Sequence, residues 1–421
     1  MTRDGRSGDD DECGHEHRYR DGCRIPGHDP PHRPRQQCAI VVDGACTDSG
    51  AGARSGGAKP CTPATTIATV TVVINGRFLL NSFGGARRFA IELTERLSRL
   101  RGDILLVTPP LPEGTVIPEV PHQVVGRFGG PLWEQIELPL WLRANGRPLL
   151  LNPATIAPFF YTRQISVVHD IAPAMRPQDF TALFRVQWHL AVRLGMLRRG
   201  QRLVTISRAS QGEIAAQFDV DPDRIDVVYA GADSLVASES SPAKTPTSTF
   251  LVFGRHGAAK NIRTVIDAAG ELPDSSGISV RLIGQLDPAL RPYAEQKNVP
   301  GARLDWQGPV TDAELAHDYR EAVGFIWPSL HEGFGIPPVE AQSLGVPVIA
   351  SDIPINREVL DEAAIYFPAE EPAALAAAMV ELAEDPALRA TMRARGIENA
   401  ARFTWENTAL GWDQLIRRDH G

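Results

Sequence analysis

The sequence predicts an α/β protein of two Rossmann-like domains facing each other across a cleft, preceded by an extension without regular structure. Three observations carry that expectation. Short β-branched and aliphatic runs alternate with segments of helical period, the pattern of a doubly wound parallel sheet. The alternation stops at residues 234–248, a stretch dense in Ser, Pro, Ala and Thr with the composition of a linker, and then starts again. A chain of 421 residues with 43% hydrophobic content also exceeds what one ordinary core supports.

Taken in order, residues 1–66 are rich in Gly, Pro, Asp and Arg, show no periodicity and are expected to be disordered. They hold all five cysteines (Cys13, Cys23, Cys38, Cys46, Cys61) together with His15, His17, His28 and His32. No CxxC pair occurs and the count is odd, so no zinc module is expected there. The first domain, 67–233, opens with a strand over 68–75, where Val70, Val72, Val73 and Ile74 suit a buried position. A glycine loop (81–85), a helix over 86–100 with Phe89, Leu93 and Leu97 on one face, and a strand over 104–107 complete a βαβ unit. Further strands are expected at 123–125, 149–151, 165–168, 202–206 and 225–228, with helices at 182–199 and 210–218.

The second domain, 249–404, repeats the scheme. Strands are expected at 250–253, 279–283, 303–306, 324–327, 346–350 and 364–367, and helices at 261–270, 312–321, 338–344, 355–361, 372–384 and 386–403. The amphipathic segment 405–417 has no obvious place in this second sheet and is expected to return to the first domain as a C-terminal helix spanning 405–421. Ligands of such sheets bind at the carboxyl ends of the strands, here between the domains.

Composition narrows the function. A net charge of −8 and a pI near 5.8 argue against a nucleic-acid partner. No apolar run is long enough to span a bilayer, and no apolar leader follows Met1, so a cytoplasmic protein is expected.

The chemistry concentrates in Pro328–Ala350, PSLHEGFGIPPVEAQSLGVPVIA. A strand ends at Trp327, Gly333 and Gly335 bracket Phe334, and Pro337-Pro338 start a helix. Glycines before a helix let free backbone N–H groups approach an anion that the helix dipole favours. Glu332 in the loop and Glu340 in the first helical turn add two carboxylates. The alternatives are a solvated loop charge for Glu332 and a capping role for Glu340.

The run His331-Glu-Gly-Phe-Gly-Ile-Pro-Pro-Val-Glu-Ala, continuing to Gly345-Val-Pro-Val-Ile, resembles the signature of the family 4 retaining glycosyltransferases, and within them bacterial mannosyltransferases of surface polysaccharide assembly. The resemblance covers about Val70–Arg417 and implies the GT-B fold. It implies that Glu332 bonds the donor sugar, that Glu340 takes the ribose hydroxyls, and that the amides of Phe334, Gly335 and Ile336 face the sugar and phosphates. The segment Phe253-Gly-Arg-His-Gly-Ala-Ala-Lys-Asn resembles the start of the family's second domain, which places Gly254 at the nucleotide and Arg255 and Lys260 on the diphosphate. Two cations after a strand end suit a leaving group of that charge. His169-Asp170-Ile171 resembles the segment whose histidine contacts the donor sugar. Gly84-Gly85-Ala86-Arg87 resembles the first-domain glycine loop over the phosphates, and departs from the commoner Gly-X-Gly-Arg pattern. Ser351–Glu358 also matches, with Glu358 supporting the fold or the site rim.

The activity implied is retaining transfer of a hexose from a nucleoside diphosphate-sugar, GDP-mannose by preference, to a glycan or lipid-linked saccharide. No cofactor and no metal are expected. Asp219-Val-Asp221, though similar to a metal-binding pair, is followed by Pro222 and reads as a turn. An NAD-dependent oxidoreductase is disfavoured because no strand leads into Gly-x-Gly-x-x-Gly with an acidic residue beyond it. A sugar-nucleotide epimerase and a non-catalytic nucleotide-sugar-binding subunit are the other readings. The aromatics of 128–136 and Pro158–Tyr161 suit stacking on acceptor sugars or packing in a loop core. The segment 182–202, with Arg185, Arg193, Arg198, Arg199 and Arg202 among Trp188, Leu190 and Leu194, suits either an anionic membrane surface or a solvated helix face.

Overall fold

The computed structural model describes residues 70–420 apart from 81–83, 155–156, 198–200, 236–247 and 255–257. The expected extension 1–66, most of the linker 234–248 and Arg255 therefore lie outside the described residues.

Thirteen strands form two all-parallel sheets among the described residues. In the first lobe these are β1 (Val72–Asn75), β2 (Ile104–Thr108), β3 (His122–Val124), β4 (Leu149–Asn152), β5 (Gln164–Val167), β6 (Arg202–Thr205) and β7 (Ile225–Val227). They lie in the order β3-β2-β1-β4-β5-β6-β7. The second lobe carries β8 (Thr249–Phe253), β9 (Ser279–Ile283), β10 (Leu304–Trp306), β11 (Gly324–Trp327), β12 (Val348–Ser351) and β13 (Ala364–Phe367), ordered β10-β9-β8-β11-β12-β13. β1, β2, β4, β5, β11 and β12 are buried at every position, because helices cover both faces of a parallel sheet. That is why these strands read as continuous apolar runs and not as alternating ones.

Each sheet reverses direction once. The chain leaves β1 toward β2 and β3 and returns to β4 on the other side; it leaves β8 toward β9 and β10 and returns to β11. These reversals open a crevice at the strand ends beside β1 and β8, the usual place for ligands in such sheets. The glycine loop before the Gly85–Leu100 helix follows β1, Lys260 follows β8 and the Glu332 loop follows β11.

The last helix, Trp405–His420, lies on the first lobe against Gly85–Leu100. Phe89 meets the rings of Trp405 and Trp412 at 5.8 and 6.5 Å, and Arg101 donates to Asp413 at 2.8 Å. At its start the Trp405 amide donates to Asp233 at 2.8 Å and its indole N–H to Ser234 at 2.7 Å.

One region departs from the sequence reading. The segment 128–136, read as a loop, is helical from Gly130 on, and the helix runs to Ala144, with a π-helical turn over Trp133–Glu137 between Gly130–Leu132 and Leu138–Ala144. Pro131 and Pro139 argue against a helix in the sequence, yet Pro131 stands at a helix start, where its missing N–H is not needed. Pro139 falls where the π turn gives way to α, which alters the local hydrogen-bond pattern. Trp133 and Tyr161 are buried and hydrogen-bonded to the backbone at Val125 and Pro148, so packing is their role; Phe128 and Phe160 are exposed. Asp219 and Asp221 form the expected turn: Asp219 is a left-handed helix cap, and Asp221 accepts from the Asp223 amide at 3.0 Å.

Candidate active site

A cavity of about 930 Å³ lies between the lobes. The first lobe lines it with Gly84, Gly85, Phe89 and His169, and the second with Lys260, Trp327, Glu332, Phe334, Gly335 and Ile336. Most of the expected site residues thus meet around one space.

The Glu332 loop has its shape for two local reasons. Gly335 sits at φ 89° as the N-cap of the Ile336–Ser343 helix, a left-handed conformation that favours glycine. No side chain caps the first turn, and since Pro337 and Pro338 carry no N–H, the amide it leaves available to an anion is that of Ile336. Gly333 presses on the other lobe: a Cβ there would lie 2.2 Å from the carbonyl oxygen of His169. The two glycines of the motif therefore serve different ends, one a turn and one a contact between lobes.

Lys260 forms an ion pair with Glu332 and lies 4.7 Å from the centre of the Trp327 ring. Its neighbour Asn261, at φ 54°, donates to the carbonyls of Pro328 and Ala369 at 3.1 and 2.6 Å and so ties the β8 loop to the ends of β11 and β13. His169 is buried, and its Nε2 lies 3.0 Å from the Pro153 carbonyl, which can only accept; Nε2 therefore carries the proton. Burial holds the His169 pKa below its ordinary value, so the ring is neutral with Nδ1 as an acceptor. Its orientation is fixed edge-on to Phe89 at 5.0 Å.

Glu340 lines an adjoining cavity of about 480 Å³ that shares Gly84, Gly85 and Ile336 with the first. Its side chain is 1% exposed, and its Oε1 lies 2.9 Å from Nη2 of Arg88 on the first lobe. Burial pushes the carboxyl up to about 7, with Asp312 and Glu92 adding to the rise and Arg88 opposing it. Gly254, expected at the nucleotide, is not among the described residues that line the two cavities; it is buried against the Leu286 side chain, which a Cβ would meet at 1.8 Å, and its N–H is bonded to the Ile283 carbonyl at 2.9 Å. A side chain at this position would have to displace the end of Leu286.

The lobes are also tied beside the site. Glu358 accepts from the amides of Arg208 and Ala209, both at 2.7 Å, at the start of the Arg208–Phe218 helix, and from the Tyr229 hydroxyl at 2.9 Å. The Ser210 hydroxyl lies 3.3 Å from the His169 carbonyl and 3.2 Å from that of Gly333. His331 meets Glu213 at 3.0 Å, which raises its pKa. Sequence reasoning passed over Arg88, Trp327 and the inward face of the Ala182–Leu190 helix, where Phe184 and Trp188 line the larger cavity.

The raised carboxyl of Glu340 has a measurable consequence. An acid whose pKa is higher folded than unfolded favours the fold while protonated. That contribution is complete below about pH 4.5 and is lost as pH rises toward about 7. The stability of the wild-type protein relative to Glu340→Gln should therefore fall over that window, by on the order of 3 kcal/mol in all. Denaturation of both proteins across the window measures it, and a constant difference would contradict the assignment.

Residues 83–234 match the model of Glycosyltransferase Family 4, and residues 235–401 that of Glycosyl transferases group 1. O-antigen chain mannosyltransferase B of Escherichia coli is 28% identical over 277 residues, 61% of this chain and 70% of the relative. O-antigen chain mannosyltransferase RfbU of Salmonella typhimurium is 31% identical over 207 residues, 48% of this chain; the match spans only 56% of that relative's own length. Among solved structures, Anabaena HepE in complex with UDP and glucose superposes with a TM-score of 0.63 at 19% identity, covering 82% of this chain and 99% of that one. WaaG, a glycosyltransferase involved in lipopolysaccharide biosynthesis, gives 0.64 at 15% identity with the same coverage. These structural likenesses support the fold, and the two family models together take in residues 83–401. The chain belongs to the glycosyltransferases built on the two-lobed GT-B fold.

Proposed function

We propose that this glycosyltransferase moves a hexose, mannose by our reading, from a nucleoside diphosphate-sugar to a saccharide or lipid-linked acceptor, with retention at the anomeric carbon and without a metal. The observation that carries the reading is the meeting of Lys260 and Glu332 at the uncapped start of the Ile336–Ser343 helix, with His169 lining the same cavity from the opposite lobe. A cation and a free amide at a helix start suit a diphosphate; a carboxylate and a neutral imidazole acceptor suit sugar hydroxyls. The mannosyltransferase names of two relatives support mannose and hence GDP-mannose. UDP in the HepE complex keeps a UDP-sugar as the competing donor.

In this reading the glycosidic bond to the diphosphate breaks as the acceptor oxygen attacks from the same face, through an oxocarbenium-like transition state. The departing phosphate oxygen takes the acceptor proton. Lys260 and the Ile336 amide stabilise the charge left on the diphosphate, with Arg255 joining them by the family resemblance. Glu332 and His169 hold the sugar, and Glu340 holds the ribose. Catalysis then rests on positioning and leaving-group stabilisation.

The acceptor side is served by one helical segment with two faces. Phe184 and Trp188 of Ala182–Leu190 line the cavity. Leu183, Val186, Leu190 and, in the following π-helical turn, Leu194 are 69%, 58%, 41% and 41% exposed. No Asp or Glu occurs between Asp179 and Glu213, whereas Arg185, Arg193, Arg198, Arg199, Arg202 and Arg208 do, in a chain of net charge −8. An apolar stripe in a basic segment fits an anionic membrane that presents a lipid-linked acceptor to the cavity.

GDP or UDP should raise the melting temperature in proportion to occupancy, by the equivalent of about 2.7 kcal/mol at a hundredfold excess over Kd. If no nucleoside diphosphate does so, the donor assignment fails. Lys260→Ala and Glu332→Ala should each lower transfer about a hundredfold, and the wild-type rate should persist in excess chelator. Near-normal turnover in both variants would contradict the roles of Lys260 and Glu332 in leaving-group and sugar binding. The protein should co-sediment with anionic liposomes, weakly in high salt and less after Leu183→Ser with Leu190→Ser; indifference to all three would end the membrane reading.

A further inference from the structure

The Arg88–Glu340 contact is unusual in its surroundings. Arg88 belongs to the Gly85–Leu100 helix of the first lobe and Glu340 to the Ile336–Ser343 helix of the second. Their facing atoms stand 2.9 Å apart, an ion pair without the alignment of a hydrogen bond, and each is buried with no other hydrogen-bond partner. The charged groups around the 480 Å³ cavity they line are Arg87, Arg88 and Glu92 from the first lobe and Asp312 and Glu340 from the second. Tyr319, on the Asp312–Glu321 helix, also faces the Glu340 carboxylate; burial first, and Glu340 second, drive its own pKa up.

We propose that Arg88 is a positioning residue that, reaching across from the first lobe, keeps Glu340 an ionised acceptor at the nucleoside end of the donor site. This rests on the reading that a nucleoside diphosphate-sugar occupies the cleft. An ionised carboxylate can accept from both hydroxyls of a ribose; a protonated one has turned half of itself into a donor. Glu340 is almost wholly desolvated and shares its cavity with two other carboxylates, all of which favour protonation. Arg88 is the group that opposes them, and it arrives on the other lobe.

The test is nucleotide affinity as a function of pH, between about pH 6 and pH 8, with GDP or UDP, whichever stabilises the protein more. Glu340→Gln supplies the reference profile, including titration of the phosphate itself. Relative to that reference, wild-type affinity should strengthen with a midpoint near 7. Arg88→Ala should move the midpoint up by about one unit or more, which weakens binding at neutral pH by about tenfold. Arg88→Lys, which restores the charge, should move it back and guards against a misfolded alanine variant. An Arg88→Ala protein that binds with the wild-type midpoint overturns the proposal while leaving the donor reading intact. Failure of the wild-type protein to bind either nucleotide at any pH overturns the donor reading, and this proposal with it.

Discussion

The closed cleft depends on one contact surface, where the Gly333 loop of the second lobe lies against the strand end at His169 and the start of the Arg208–Phe218 helix. A backbone carbonyl occupies the space a side chain at residue 333 would need, so the approach is possible only for glycine. Ser210 reaches the carbonyls on both sides of the seam, and Glu358 closes it from the second lobe by accepting two amides at a helix N-terminus. A carboxylate in that position is favoured by the helix dipole as well as by its hydrogen bonds. This seam holds His169 beside Glu332, residues that stand on different sheets.

Closure also sets the chemistry of the charged groups. In the open cleft water would screen Lys260, Glu332, Arg88 and Glu340. In the closed one Glu340 and His169 are nearly desolvated; one is raised toward neutrality and the other kept neutral. Lys260 and Glu332 retain partial exposure and their charges offset each other; in the proposed reading, a diphosphate beside Lys260 and a sugar beside Glu332 would exchange that one pairing for two.

Much of this was legible in the chain because its physics is local. Continuous apolar runs reported fully buried parallel strands, and Gly333, Gly335 and Pro337 announced the loop that leads into a helix. What was not legible is non-local. Gly254 and Gly333 look alike in sequence, since both are defined by a missing Cβ. One makes room for the Leu286 side chain within a lobe, and the other for a carbonyl across the cleft. Arg88 is one of many arginines on amphipathic helices until the second lobe sets Glu340 against it. The helical segments across 130–144 were hidden by Pro131 and Pro139, residues whose cost depends on where in a helix they fall.

The two lobes divide the work unevenly, and the division follows from their sequences. The second lobe contributes Lys260 and Glu332 and the uncapped helix start at Ile336. The first contributes Gly84 and Gly85 without side chains, a histidine locked by Pro153 and Phe89, the aromatic faces of Phe184 and Trp188, and the charges of Arg87, Asp170, Arg176 and Asp179. Arg88 differs from the other first-lobe charges in being aimed at a second-lobe carboxylate. On the proposal above, it is the group through which the first lobe affects how tightly a nucleotide is held.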